Sequence, residues 1–175
     1  RDWQGRHVKG GPVIYVASEG GGAFWAQRML AWAQEKGGGK FPPVFTNQDI
    51  HSFMDDKHFE RFCAGIEAIS YGKVTAGYDS PSLIIVDTMS LNYDGEEQSN
   101  DDMNRFMKRM NLMAKRFDCH VLLVHHTGKD VERGGRGASS RFGALDHEWT
   151  MQRDEEDEYL VYFKCTKNRH GAMYW

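Results

Sequence analysis

The chain has 175 residues, enough for one domain with a real core, and with 40% hydrophobic and 27% charged residues it reads as soluble and globular. Its net charge of −3 excludes nucleic-acid binding by overall charge, so any such binding needs a local basic patch. No apolar run approaches the ~18 residues of a membrane span, no signal-peptide pattern is read, and Cys63, Cys119 and Cys165 have no metal or redox spacing, which points to buried thiols in a reducing, cytoplasmic setting.

Residues 1–11 are polar and Gly-rich, and Gly10-Gly11-Pro12 leads into a first buried strand, Val13 to Ser18. Glu19 ends it, followed by Gly20-Gly21-Gly22. An acid at a strand end, then glycines, then a helix leaves room for a ligand close to the backbone, although the same pattern also suits a turn with an exposed Glu. Ala23 to Lys36 predicts an amphipathic helix with Phe24, Met29, Trp32 and Ala33 inward, stopped by Gly37-Gly38-Gly39. A Pro42-Pro43 link with Val44-Phe45 as a short strand comes next. Asp55 to Ser70 predicts a second helix with Phe59, Phe62, Cys63, Ile66 and Ile69 inward, and residues 71–80 form a turn-rich loop.

Leu83 to Thr88, Leu-Ile-Ile-Val-Asp-Thr, is the central strand. Its continuous apolar run suits a strand buried on both faces of a parallel sheet. Asp87 then lies at the carboxyl end, where ligands bind in open α/β sheets and a carboxylate can hold Mg²⁺ beside a nucleotide. Alternatively it only ends the strand and caps the next turn. After a loop over residues 88–98, Ser99 caps a long helix and Asp102 completes a capping box, with Met103, Phe106, Met107, Met110, Met113 and Ala114 as its buried stripe. Phe117-Asp118 closes that helix. His120 to His126 is a third buried strand ending in the pair His125-His126. The alternation of strands and helices predicts an α/β fold with a mostly parallel sheet. It brings Glu19, Asp87 and the histidine pair to one sheet edge.

Residues 127–141 are glycine-rich and basic. Lys129, Arg133, Arg136 and Arg141 on such a segment suit contacts to a phosphate backbone such as single-stranded DNA, or a solvated loop. Glu148 to Arg153 and Tyr159 to Thr166 predict a carboxyl-terminal β-hairpin around a solvated turn at Asp154-Glu155-Glu156-Asp157. Lys167 and Arg169 then place two cations on a turn, which either reach a neighbouring subunit's phosphate or form a basic surface.

With these residues assembled, the chain resembles the RecA-like ATPases, nearest the plasmid RepA-type replicative helicases and related phage and bacterial AAA domain proteins. The matching pieces, in the family's order, are Val13 to Glu19, Leu83 to Thr88, Glu96 to Met103, His125 to Lys129, Arg136 to Ser140 with Asp146, and Lys167 to Gly171. The resemblance implies a RecA-like sheet flanked by helices. It makes Glu19 the general base, Asp87 the Walker B acid on Mg²⁺, and His126 the sensor of the γ-phosphate, with Thr88 and His125 beside the nucleotide. Residues 129–141 match the loop facing the channel of a ring. Lys167 and Arg169 resemble the cations that DnaB-type helicases present to the adjacent subunit. ATP and Mg²⁺ as cofactors, DNA as partner, a homo-oligomeric ring such as a hexamer, and a bacterial or phage-infected cytoplasm follow from the same likeness.

One departure is large. Gly39-Lys40, Gly72-Lys73 and Gly128-Lys129 all lack a following Ser or Thr, and none has the spacing Gly-x-x-x-x-Gly-Lys-Ser/Thr that cradles phosphates. The family places that loop upstream of the match to Arg1. The expectation is therefore a single RecA-like core domain over residues 1–175, truncated at its amino end and inactive alone. Two other classes stay open: a non-catalytic nucleic-acid-binding or assembly module, and a metal-dependent hydrolase using His125 and His126. Adjacent strand residues face opposite ways, which disfavours the last.

Overall fold

A computed structural model describes residues 2–3, 5–8, 10–70, 77–96, 98–126 and 143–171. It opens with a short antiparallel pair, β1 (Asp2–Trp3) and β2 (Arg6–His7), where the pattern predicted only a polar lead-in. The chain continues through β3 (Val13–Ala17), α1 (Gly21–Glu35), β4 (Val44–Asn47), α2 (Asp56–Ser70), β5 (Leu83–Asp87), α3 (Asn100–Phe117) and β6 (His120–Val124). These four strands form one parallel sheet in the order β4-β3-β5-β6. An antiparallel hairpin, β7 (His147–Arg153) with β8 (Val161–Asn168), follows. The fold is thus the predicted α/β sheet with flanking helices and a carboxyl-terminal hairpin.

The core lies on one face of the sheet. Alternation along the strands turns Ile14, Val16, Ile84 and Val86 to this face, where all are buried. They share a cluster with Phe59, Phe62, Cys63 and Ile66 of α2 and with Met103, Phe106, Met107, Met110, Met113 and Phe117 of α3. Burying each such side chain contributes about 1.5–3 kcal/mol, so this layer carries most of the stability. Ala114, expected in the stripe of α3, is only half-buried. Arg116 bridges α3 to α2 through Glu60 (2.7 Å) and Glu67 (2.8 Å), and Arg109 pairs with Asp56. These exposed pairs add register rather than much energy.

The opposite face differs from expectation. Leu83, Ile85 and Asp87 are half-buried, so the central strand is not buried on both sides. Helix α1 meets this face through Trp25, whose ring centroid lies 4.2 Å from that of Tyr15. The inward row is therefore the i, i+4, i+8 row Trp25, Met29 and Ala33. Phe24 and Trp32, offset from that row, remain 46% and 36% exposed. Strand β6 also stops at Val124 and is not fully buried, because it is an edge strand among the described residues and Leu122 is 49% exposed.

Two smaller corrections concern termini. The Ser99 hydroxyl accepts from Asp102 N (3.2 Å) as a cap should, but the Asp102 carboxylate accepts from Glu96 N (3.2 Å) and not from Ser99 N. The capping box is thus half-formed, since Asp is one methylene shorter than the usual Glu. Strand β8 runs two residues later than predicted at each end, because Asp154 accepts from the amides of Glu156 and Asp157 (2.9 Å each) and lengthens the turn.

Candidate active site at the carboxyl ends of the strands

Register decides which side chains meet. Ala17 pairs with Asp87, and Asp87 with Val124. The ladder extends one step further through Ser18 N to Asp87 O (2.9 Å) and Met89 N to Val124 O (2.8 Å). Glu19, Thr88 and the His125-His126 pair therefore leave the sheet at one edge. Gly20 and Gly21 have φ of 92° and 64°, a region costly for other residues, and they turn the chain sharply from Glu19 into α1.

The polar groups then form a connected network. Thr88 is fully buried, and its hydroxyl donates to Glu19 Oε1 (3.1 Å) and lies 3.0 Å from Ser90 Oγ. His126 Nε2 stands 3.8 Å from Glu19 Oε2, and both side chains are largely exposed. Asp87 Oδ2 accepts from the Tyr15 hydroxyl at 2.5 Å. The Asp87–Thr88 peptide bond is cis. Burial, then the hydrogen bond to Asp87, pushes the Tyr15 phenol well above its ordinary range, so it remains a protonated donor at neutral pH.

Beneath this network lies Asn92, in a 3-10 turn at Ser90–Asn92 and fully buried. Its amide nitrogen donates to Ser18 Oγ (2.9 Å) and Thr88 O (2.9 Å), and its oxygen accepts from His51 N (2.8 Å). One side chain thus ties the loop after β3, the loop after β5 and the segment after β4. Burial lowers the pKa of His51, with the Asp49 charge opposing, while its Nε2 sits 3.0 Å from Asn47 Oδ1.

The donors at this edge are carboxylate and hydroxyl oxygens, with Asp87 half-buried at the strand end. Hard oxygen ligands of this kind fit Mg²⁺, which takes one or two carboxylates and completes its shell with water and phosphate oxygens. Asp87 carries the half-buried carboxylate of this set.

Of the residues singled out from sequence, the structure brings Glu19, Asp87, Thr88 and His126 together, with His125 half-buried beside His126. Thr88 points to Glu19 rather than outward. Lys167 lies in β8 opposite Glu148. Arg169 follows the strand and engages Asp146 Oδ1 (2.9 Å) and the Gly143 carbonyl (2.6 Å). Lys129, Arg133, Arg136 and Arg141 lie outside the described residues. Sequence reading missed Tyr15, Ser90 and Asn92. Alternation puts Tyr15 on the Asp87 face only once the register is known, and nothing local distinguishes Asn92 from other loop polar residues.

The parallel sheet, with a glutamate, an aspartate and a histidine on the carboxyl ends of its neighbouring strands, has a RecA-like fold. The chain belongs to the AAA domain family, whose profile matches residues 1–132. Among solved structures it is similar to the crystal structure of the RadB recombinase, at 13% identity and a TM-score of 0.52, over 91% of this chain and 77% of that one. At that identity the likeness speaks for the fold alone. No curated protein sequence matches the chain.

Proposed function

We propose that the chain is the catalytic core portion of a DNA-associated ATPase of helicase or recombination type. The observation that carries this reading is the joined set Glu19, Thr88 and His126 beside Asp87 at one sheet edge. Glu19 takes a proton from the water that attacks the γ-phosphate in line. Thr88 holds that carboxylate by one oxygen and leaves the other toward His126, so the state of the phosphate is relayed through His126 to the residues that follow it in sequence. Asp87 holds Mg²⁺, which supplies charge neutralisation on the transferring phosphoryl group when bound.

The same reading assigns Thr88 and His125 to the nucleotide surroundings, and Lys167 and Arg169 to a neighbouring subunit's nucleotide in a homo-oligomeric ring. Lys129, Arg133, Arg136 and Arg141 would contact single-stranded DNA. Residues 1–175 form a single core domain, and a Gly-x-x-x-x-Gly-Lys-Ser/Thr loop would supply its phosphate cradle. Without that loop the chain binds ATP very weakly and turns nothing over. The test is Mg-ATP hydrolysis with and without single-stranded DNA. Residues 1–175 should be inert, and the polypeptide with an upstream Gly-x-x-x-x-Gly-Lys-Ser/Thr should be active and lose activity in Asp87→Asn. Micromolar ATP affinity of residues 1–175 alone would contradict it.

A second reading is a non-catalytic nucleic-acid-binding or assembly module that keeps the fold and hydrolyses nothing. Salt-dependent DNA binding indifferent to ATP would support it.

A further inference from the structure

We infer that Tyr15 is a positioning residue for the metal-holding carboxylate, setting the orientation of Asp87 from the neighbouring strand. This inference rests on the reading of Asp87 as the Mg²⁺ ligand. The register pairs Ala17 with Asp87, so Tyr15, two residues earlier, lies diagonally behind Asp87 on the same sheet face. Its hydroxyl reaches Oδ2 at 2.5 Å, at the short end of the range for a phenol donating to an ionised carboxylate. An aspartate at a strand end has a soft terminal torsion, broad and roughly two-fold, and nothing in its own backbone selects one orientation. A donor fixed to one oxygen selects it.

Tyr15 is itself held. Its ring packs against Trp25 of α1 with centroids 4.2 Å apart and planes inclined at 55°, and its backbone lies in the ladder between β4 and β5. The phenol is therefore a rigid arm with one donor, and that donor is spent on Asp87. A residue that only filled space here would need the ring and not the hydroxyl. Outer partners that orient a metal-holding carboxylate are worth about 10–100-fold in metal affinity.

The experiment separates the hydroxyl from the ring, and the inference from the reading beneath it. Mn²⁺, standing in for Mg²⁺, is titrated by electron paramagnetic resonance into the full-length polypeptide with a non-hydrolysable ATP analogue. The forms compared are wild type, Tyr15→Phe, Asp87→Asn and the double variant, each checked by urea denaturation. Asp87→Asn should remove tight Mn²⁺ binding, and Tyr15→Phe should weaken it about tenfold with a cooperative fold retained. The double variant should bind no more weakly than Asp87→Asn alone, because Tyr15 acts through Asp87. Wild-type Mn²⁺ affinity in Tyr15→Phe, or a further loss in the double variant, would overturn the role of Tyr15 while leaving Asp87 a ligand. Wild-type affinity in Asp87→Asn would instead remove the metal reading itself.

Discussion

Thr88 is the residue where structure and chemistry meet most closely. Its hydroxyl holds Glu19 and its carbonyl is held by Asn92, so the position of Glu19 depends on one part-buried and one buried hydrogen bond. In the active polypeptide, Thr88→Val keeps the shape and deletes the donor. Steady-state kinetics should show kcat down about tenfold with the nucleotide KM little changed, since the hydroxyl donates to Glu19. An unchanged kcat would free Glu19 from Thr88. Asn92→Ala leaves the His51 amide, the Ser18 hydroxyl and the Thr88 carbonyl short of partners. It should cost about 2–4 kcal/mol in urea denaturation. His51 adds a pH dependence. Its folded pKa lies below the ordinary 6.5, so the unfolded chain binds the extra proton between the two values. Its stability contribution is complete above 6.5 and is lost as pH falls through 6.5 toward the depressed value. His51→Gln should flatten the melting temperature against pH in that window. At this scale Glu19 and Asp87 were legible because strand-end acids stand out against apolar runs. Asn92 was not, because its importance comes from three partners distant in sequence.

Helix α3 shows the element scale at its clearest. A stripe of six side chains at helical spacing was readable directly, and the structure buries five of them, Met103, Phe106, Met107, Met110 and Met113, leaving Ala114 half-buried. Phe106→Ala should cost about 3–5 kcal/mol, because the site is fully enclosed and its ring meets Tyr93 edge-on at 5.3 Å. Ser99→Ala removes the cap and should cost about 1 kcal/mol. Thermal or urea melts of both check the ranking, and equal losses would contradict the packing account. Helix α1 was harder to read. Its aromatic residues Phe24, Trp25 and Trp32 compete for the inward row, and only the meeting of Trp25 with Tyr15 selects it.

At the scale of the whole molecule, the sheet is well covered on one face and thinly on the other. Leu122, Phe24, Leu30 and Trp32 are exposed, as are Trp149, Met151 and Phe163 of the hairpin. Strand order and register, which create both the core and the carboxyl-end site, could be anticipated only as a parallel class, since pairing partners are not encoded locally. Exposed apolar side chains of this size bind hydrophobic dyes. Residues 1–175 should therefore enhance dye fluorescence. No enhancement would argue against this exposed apolar surface.

The central claim is that the edge formed by Glu19, Asp87, Thr88 and His126 hydrolyses ATP. Its most direct test is Glu19→Gln in the polypeptide that carries the phosphate-binding loop, with turnover and nucleotide affinity measured on the same preparation. The account predicts turnover lost by at least about a hundredfold with affinity retained, because only the base is removed. Unchanged hydrolysis would take Glu19 out of the base role and contradict the account.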